Sequence, residues 1–166
     1  MAIKDSLLPE FDHEMGATRR VLERVPAADL AWKPHEKSFS LGQLASHVSN
    51  LPHWMSMIFD ADMLDLATLG DDARPKQPTE VESILKWFDD KVKAARAKLD
   101  AQTDQTMLSP WTLKQSGTQI FTMPKVAVVR SFVMNHLIHH RGQLTVYLRL
   151  RNVPLPALYG PTADEG

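Results

Sequence analysis

The chain has 166 residues, 43% of them hydrophobic and none of them cysteine, and its formal net charge is −1. The missing cysteines exclude disulfides, a cysteine nucleophile and cysteine-ligated zinc, and the balanced charge argues against specific nucleic-acid binding. Because no signal-peptide pattern and no apolar run of membrane-spanning length occurs, we expect one cytoplasmic globular domain over residues 1–166, without membrane contact.

Helical periodicity marks four parts of the chain. Apolar residues recur at spacings of three and four near residues 4–25, 40–60, 79–101 and 123–150. A polar stretch with two prolines, from Gly70 to Pro78, predicts a surface connection between the second and third of them. Four amphipathic helices with longish connections predict an all-α fold, an antiparallel four-helix bundle.

The second predicted helix carries the first candidate site residue. Ser40 is a good N-cap for it, and His47 lies beside Val48 on its inward face. Pro52 removes a backbone donor and predicts a kink soon after His47. That kink either has no further role or shapes a cavity near His47, and the sequence leaves both readings open.

The helical pattern fails between Thr103 and Met123. Two short apolar runs, one starting at Trp111 and one ending at Phe121, flank a Gln-Ser-Gly turn. This arrangement predicts either a small β-hairpin or a loop before the last helix. Thr122 is then expected to cap that helix.

The last predicted helix carries a pair of histidines. His136 and His140 fill the gap in an apolar stripe between Val133 and Leu144, so we place them in the core seam. At i and i+4 their rings lie one turn apart and can reach a single metal ion. From the pair alone, metal binding and a structural role both stay open, because burying an imidazole without partners costs about 1–3 kcal/mol. His139 lies on the other flank of the helix and is the weaker partner.

The predicted helix faces divide the seven histidines of the chain into groups. Those on core faces are His47, His136 and His140. Those off the core faces are His13, His35 and His53, with His139 marginal. Helical bundles build their sites from inward side chains on facing helices, so the first group is the candidate metal site. Three neutral imidazoles leave a divalent ion its full charge and an open position, as in catalytic zinc sites.

Two segments carry a family resemblance. They are His136-x-x-x-His140-Arg141-Gly142-Gln143 and the tail from Pro154 to Pro161, with weaker support from residues 30–34 and 42–47. On these residues the chain resembles the DinB/YfiT-like family of metal-dependent four-helix-bundle proteins over nearly its whole length.

The resemblance implies a function as well as a fold. It implies that His47, His136 and His140 bind a divalent metal, nickel or zinc, and that the protein is a homodimer. Several relatives transfer or isomerise with low-molecular-weight thiols such as bacillithiol, mycothiol or glutathione. Because this chain has no cysteine, a thiolate would have to come from a cosubstrate.

Three functions therefore remain open, all of them at the same three histidines. The first is metal-dependent transfer of a thiol to an electrophilic small molecule. The second is hydrolysis by a metal-bound hydroxide. The third is a non-catalytic role as a metal-binding stress-response bundle.

Other residues near the predicted site have weaker roles. Trp54 and Tyr147 either line a pocket or belong to the core. Glu14 and Asp60 are weak candidates for a general base, and we expect both at the surface. The catalytic residues stay unassigned at this point.

Overall fold

The computed structural model describes residues 2–70 and 78–166. The helices among these residues are α1 (Ile3–Leu22), α2 (Leu41–Asn50), α3 (Trp54–Asp60), α4 (Val81–Asp100), α5 (Asp104–Leu108), α6 (Lys125–Val128) and α7 (His136–Leu150). A π-helical segment, Val129–Asn135, joins α6 to α7, and a 3-10 turn, Leu51–His53, joins α2 to α3. The connection predicted between Gly70 and Pro78 lies mostly outside the described residues.

A three-stranded mixed sheet stands beside the helices, so the prediction of an all-α four-helix bundle is wrong. The strands are β1 (Met63–Asp65), β2 (Pro110–Gln115) and β3 (Thr118–Pro124), in that spatial order. β1 pairs with β2 in parallel, and β2 pairs with β3 antiparallel as the hairpin considered before the last helix. β1 has only three residues and pairs with a distant part of the chain, which leaves no local pattern to predict it.

The turn of the hairpin is hydrogen-bonded to β1. Ser116 and Gly117 have positive φ angles of 50° and 80°, which a type I′ turn requires at both central residues. Their backbone N–H groups donate to the carboxylate of Asp65, over 2.9 Å and 2.6 Å. The last residue of β1 is thereby tied to the hairpin turn.

The helix ends follow from local chemistry at three positions. The Ser40 hydroxyl accepts from the Gln43 backbone N–H at 3.1 Å, and the Gln43 side-chain oxygen accepts from the Ser40 N–H at 2.9 Å, which confirms the predicted cap of α2. Pro52 lies in the 3-10 turn, where the predicted second helix breaks into α2 and α3. The prediction that Thr122 caps the last helix is wrong. β3 continues past Thr122 to Pro124, and α6 begins after the end of β3.

The core lies between the helices and one face of the sheet. Fully buried side chains come from several elements: Phe11 of α1, Leu44 of α2, Phe88 of α4, Trp111 of β2 and Leu137 of α7. Over the described ranges, no helix has both the length and the apolar character needed to cross a membrane. The elements that matter for the site are α2 and α7, which contact each other directly.

Candidate metal site

α2 and α7 bring three histidines to one place. His47 lies in α2, and His136 and His140 lie one turn apart on α7. One ring nitrogen from each lies within 4.8 Å of the other two. The Nε2 atoms of His47 and His136 are 3.4 Å apart, and the ring centroids of His47 and His140 are 4.5 Å apart. The structure therefore collects the three histidines named from the sequence.

The spacing of these nitrogens fits a divalent metal ion. Tetrahedral zinc with Zn–N bonds of about 2.0–2.1 Å places its nitrogen ligands about 3.3–3.4 Å apart. The separation of 3.4 Å between His47 and His136 matches this value. No ligand nitrogen in the group is more than 4.8 Å from another, so ring rotations that close about 1.5 Å or less would complete the set. The three-histidine group can hold a metal ion.

Hydrogen bonds fix the orientation of the two histidines on α7. His140 Nδ1 lies 2.7 Å from Gln143 Oε1. An amide oxygen only accepts, so Nδ1 carries the proton and Nε2 keeps its lone pair. The ring of His136 bonds to the backbone of Phe132, and because its Nε2 faces His47, Nδ1 is the atom left for this bond. Such bonds from the outer nitrogen are the usual way in which proteins orient metal-binding imidazoles.

The surroundings keep all three imidazoles neutral at neutral pH. Burial, together with the neighbouring rings of His140 and His136, lowers the pKa of His47 to about 4. Burial, followed by the proximity of His140, also lowers the pKa of His136. For His140, burial lowers the pKa although the bond to Gln143 opposes it. The neutral form is the one that binds a metal.

The apolar stripe predicted that His136 and His140 lie in the core seam of the last helix. This prediction is wrong. The fully buried positions of this helix are Leu137, Arg141, Leu144 and Leu148. His136 and His140 occupy the flank of that seam and are half-buried, as His47 is on α2. The stripe was wrong because the π-helical segment interrupts the 3.6-residue period just before α7.

The remaining histidines lie outside this group. His139 is exposed, with its ring centroid 4.8 Å from that of His140. The others are exposed as well: His13, His35 and His53. These four positions agree with the division made from the helix faces.

The two carboxylates considered as general bases are both engaged elsewhere. Glu14 is buried, contrary to the expectation of a surface residue, and pairs with Arg141 at 2.7 Å. Its carboxylate also accepts from the hydroxyl of Tyr159, at 2.8 Å to the nearer oxygen. Asp60 is exposed, as expected, and pairs with Lys98. Neither carboxylate belongs to the three-histidine group.

The two aromatic residues considered as pocket lining are half-buried. Trp54 stacks on Phe132 with ring centroids 5.9 Å apart. Tyr147 meets Trp32 edge to face at 5.8 Å. Both pack against the core, and a role in lining a pocket stays a prediction.

Comparison with known proteins places the chain. The sequence model of the DinB family matches residues 1–166. The chain belongs to the DinB family. It is similar to YrdA of Bacillus subtilis, an uncharacterized protein, with 25% identity over 166 residues that cover 97% of this chain and 90% of YrdA.

Two crystal structures of DinB-like proteins share the fold of this chain. One, from Bacillus cereus, superposes with a TM-score of 0.73 at 20% identity and covers 95% of this chain and 98% of its own. The other, YjoA from Bacillus subtilis, has a TM-score of 0.70 at 19% identity, covering 93% and 99%. These values extend the likeness to the DinB fold over nearly all of both chains.

Membership of the DinB family confirms the resemblance drawn from the His136–Gln143 segment. In this DinB protein the residues of the segment take part in two different sets of contacts. His136 and His140 enter the three-histidine group, and Gln143 orients His140. Arg141 points the other way, into the core, where it meets Glu14. The contacts of Gln143 and Arg141 had not been predicted from the sequence.

Proposed function

We propose that this DinB protein binds one divalent transition-metal ion, zinc or nickel, through His47, His136 and His140. We further propose that it uses the ion to activate a low-molecular-weight thiol for transfer to an electrophilic small molecule. The observation that supports this is the convergence of three neutral imidazoles from two helices, with two nitrogens at the 3.4 Å spacing of a tetrahedral site.

The chain contributes the geometry and the charge state of the site. An ion held by three neutral ligands keeps its positive charge and lowers the pKa of a thiol or water that binds to it. The half-buried position of the rings leaves part of the group accessible from solvent. An accessible three-ligand site is typical of catalytic rather than structural zinc.

We propose thiol transfer as the first candidate reaction, because the family resemblance points to low-molecular-weight thiols. The chain has no cysteine, so the thiol is a cosubstrate. Its sulfur forms a bond to the electrophilic carbon, the leaving group departs with the electron pair of the broken bond, and the thiol proton passes to solvent. A thiol that has already lost its proton needs no general base for this attack. A metal-bound hydroxide would need none either, so the pairing of Glu14 and Asp60 elsewhere is compatible with both transfer and hydrolysis.

Metal binding is tested by loading purified protein with zinc or nickel and measuring the metal retained per chain after dialysis. We expect one ion per chain in the wild type and a loss of binding in His47→Ala, His136→Ala and His140→Ala. His139→Ala is the matched control, since it neighbours both α7 ligands and should keep the ion. Full retention in His47→Ala would contradict the proposed ligand set.

The reaction is tested by incubating metal-loaded protein with several thiols and a model electrophile. We expect metal-dependent consumption of one thiol, lost in His47→Ala. Consumption of an ester or amide by water alone would favour the hydrolase. No reaction in either assay, with metal still bound, would favour a non-catalytic metal-binding protein.

We also propose that the protein acts as a homodimer without specific affinity for DNA. The homodimer rests on the family, and the second statement rests on the balanced charge. Monomeric sedimentation at micromolar concentration would contradict the first. Tight, salt-sensitive binding to duplex DNA would contradict the second.

A further inference from the structure

Four aromatic side chains form a continuous row, which we call the aromatic row. Their ring centroids are 5.9 Å apart for Trp54 and Phe132, 5.1 Å for Phe132 and Phe121, and 6.3 Å for Phe121 and Trp111. Trp111 is fully buried, whereas the other three rings are half-buried. The row therefore begins at the buried Trp111 of β2 and ends at the half-buried Trp54 of α3.

The outer end of the row is joined to the three-histidine group by short stretches of chain. Trp54 follows His47 by seven residues, and Phe132 precedes His136 by four. With the α-helical rise as a guide across the 3-10 turn and the π-helical segment, these offsets correspond to about 6–11 Å along the chain. The ring of His136 is also hydrogen-bonded to the backbone of Phe132. A small molecule can span the distance from the histidines to the Trp54–Phe132 stack.

The row also presents a free hydrogen-bond donor. The indole N–H of Trp111 donates to the carbonyl of Met57 at 3.3 Å. Over residues 2–70 and 78–166, the indole N–H of Trp54 has no partner. No fully buried side-chain nitrogen or oxygen in the same ranges lacks one, so the Trp54 N–H is at least partly accessible to solvent. A tryptophan at this position offers an apolar ring face with a polar edge.

We propose that the outer half of the aromatic row, Trp54 and Phe132, binds a planar aryl group of the electrophilic substrate. The aryl ring stacks against the half-buried rings, and the Trp54 N–H donates to an acceptor on it, such as a nitro or carbonyl oxygen. This inference rests on the proposed function, because it names the substrate class of the same site. A saturated group of equal size gains the apolar contact but not the stacking.

The test is a titration with 2,4-dinitroaniline, an uncharged aryl probe, followed by the indole N–H signals in NMR spectra. The chain has four tryptophans, and Trp54→Phe identifies the signal of Trp54 by its disappearance. We expect the probe to shift the Trp54 signal saturably in both metal-free and zinc-loaded protein. An unmoved Trp54 signal, or equal shifts of all the indole signals, would overturn the proposal.

Dissociation constants of the probe for variant proteins test the proposal quantitatively. The dissociation constant of the probe should rise at least fivefold in Trp54→Ala and in Phe132→Ala, and Phe132→Leu serves if the alanine variant does not fold. Trp87→Ala is the control, because Trp87 lies on the outer face of α4 with the Lys91 ammonium 5.8 Å from its ring. It should change the constant less than twofold. Equal losses in all variants would overturn the proposal.

A saturated probe and a metal assay complete the design. Cyclohexanol should bind at least fivefold more weakly than the aryl probe, and equal binding would overturn the assignment to aryl groups. Zinc per chain is measured in the same samples. Failure of the probe to bind while zinc is retained contradicts this inference alone. Failure of zinc to bind while the probe still shifts Trp54 contradicts the proposed metal site alone.

Discussion

Two polar clusters meet helix α7 from different sides, and they differ in how their groups are matched. In the first, Arg141 forms an ion pair with the carboxylate of Glu14 at 2.7 Å and donates to the hydroxyl of Tyr159, which in turn donates to the same carboxylate. Arg141 also donates to the hydroxyl of Thr18 at 3.3 Å. Arg141 and Glu14 are almost wholly buried, and each charge meets its opposite.

The second cluster is the three-histidine group, in which no member carries a charge that pairs with another. Three neutral rings of the same kind face one point, half-buried, with two nitrogens 3.4 Å apart. His140 and Arg141 are sequence neighbours, yet they enter different clusters because successive helix residues point about 100° apart. Opposite charges that satisfy one another need no ligand, whereas a convergence of like ligands is what a metal ion requires.

The largest expected effect concerns the cluster of Arg141, Glu14 and Tyr159. Glu14→Gln removes the charge that Arg141 meets in the core and leaves a buried cation without its counterion. We expect the free energy of unfolding to fall by about 3–5 kcal/mol, measured by urea denaturation. Zinc bound per folded chain should not change, because Glu14 lies outside the three-histidine group.

The control for this variant is a second ion pair made by α1. Glu10 on α1 pairs with Arg130 of the π-helical segment, but both side chains are more than a third exposed. Glu10→Gln should therefore cost only about 0–1 kcal/mol. Equal losses in the two variants would mean that burial does not distinguish the pairs.

A smaller effect is expected from the residue that orients His140. Gln143→Leu removes the acceptor for His140 Nδ1–H and should weaken zinc binding about tenfold, measured by competition with a chelator. Gln143→Glu keeps an acceptor at the same place and should retain the wild-type affinity. If the leucine variant binds zinc as tightly as the glutamate variant, the Gln143 contact has no part in the site.

A further effect is a pH dependence of stability in the metal-free protein. The pKa of His47 is about 4 in the folded chain and about 6.5 when unfolded. Because the folded value is the lower one, the contribution of His47 is complete above about pH 6.5 and is lost as the pH falls toward about 4. Urea titrations across this range should give a shallower slope for His47→Ala than for the wild type. His35→Ala, changed in an exposed loop, should keep the wild-type slope, and an unchanged slope in His47→Ala would contradict the account.

Periodicity was enough to find the long helices α1 and α4 and the three histidines. α1 and α4 lie within a few residues of the predicted ranges, because each carries an uninterrupted amphipathic stripe. His47 was found because it lies beside a buried valine on α2, and His136 and His140 because they lie one turn apart. Each of these signals is local in the sequence.

What periodicity missed depends on contacts between distant parts of the chain. β1 is held by pairing with β2 and by the bonds from Asp65 to the hairpin turn, some fifty residues away. Glu14 is buried only because Arg141 and Tyr159 reach it from the other end of the sequence. The core face of α7 also lies one position away from the predicted stripe, directly after the π-helical segment.

X-ray absorption spectroscopy of the zinc-loaded protein shows whether three imidazoles hold one ion. We expect three imidazole nitrogens at about 2.0–2.1 Å from the zinc in the wild type. His139→Ala should give the same spectrum, and any zinc left on His47→Ala should show two imidazoles. A zinc bound mainly by oxygen, or three imidazoles still present in His47→Ala, would contradict the claim.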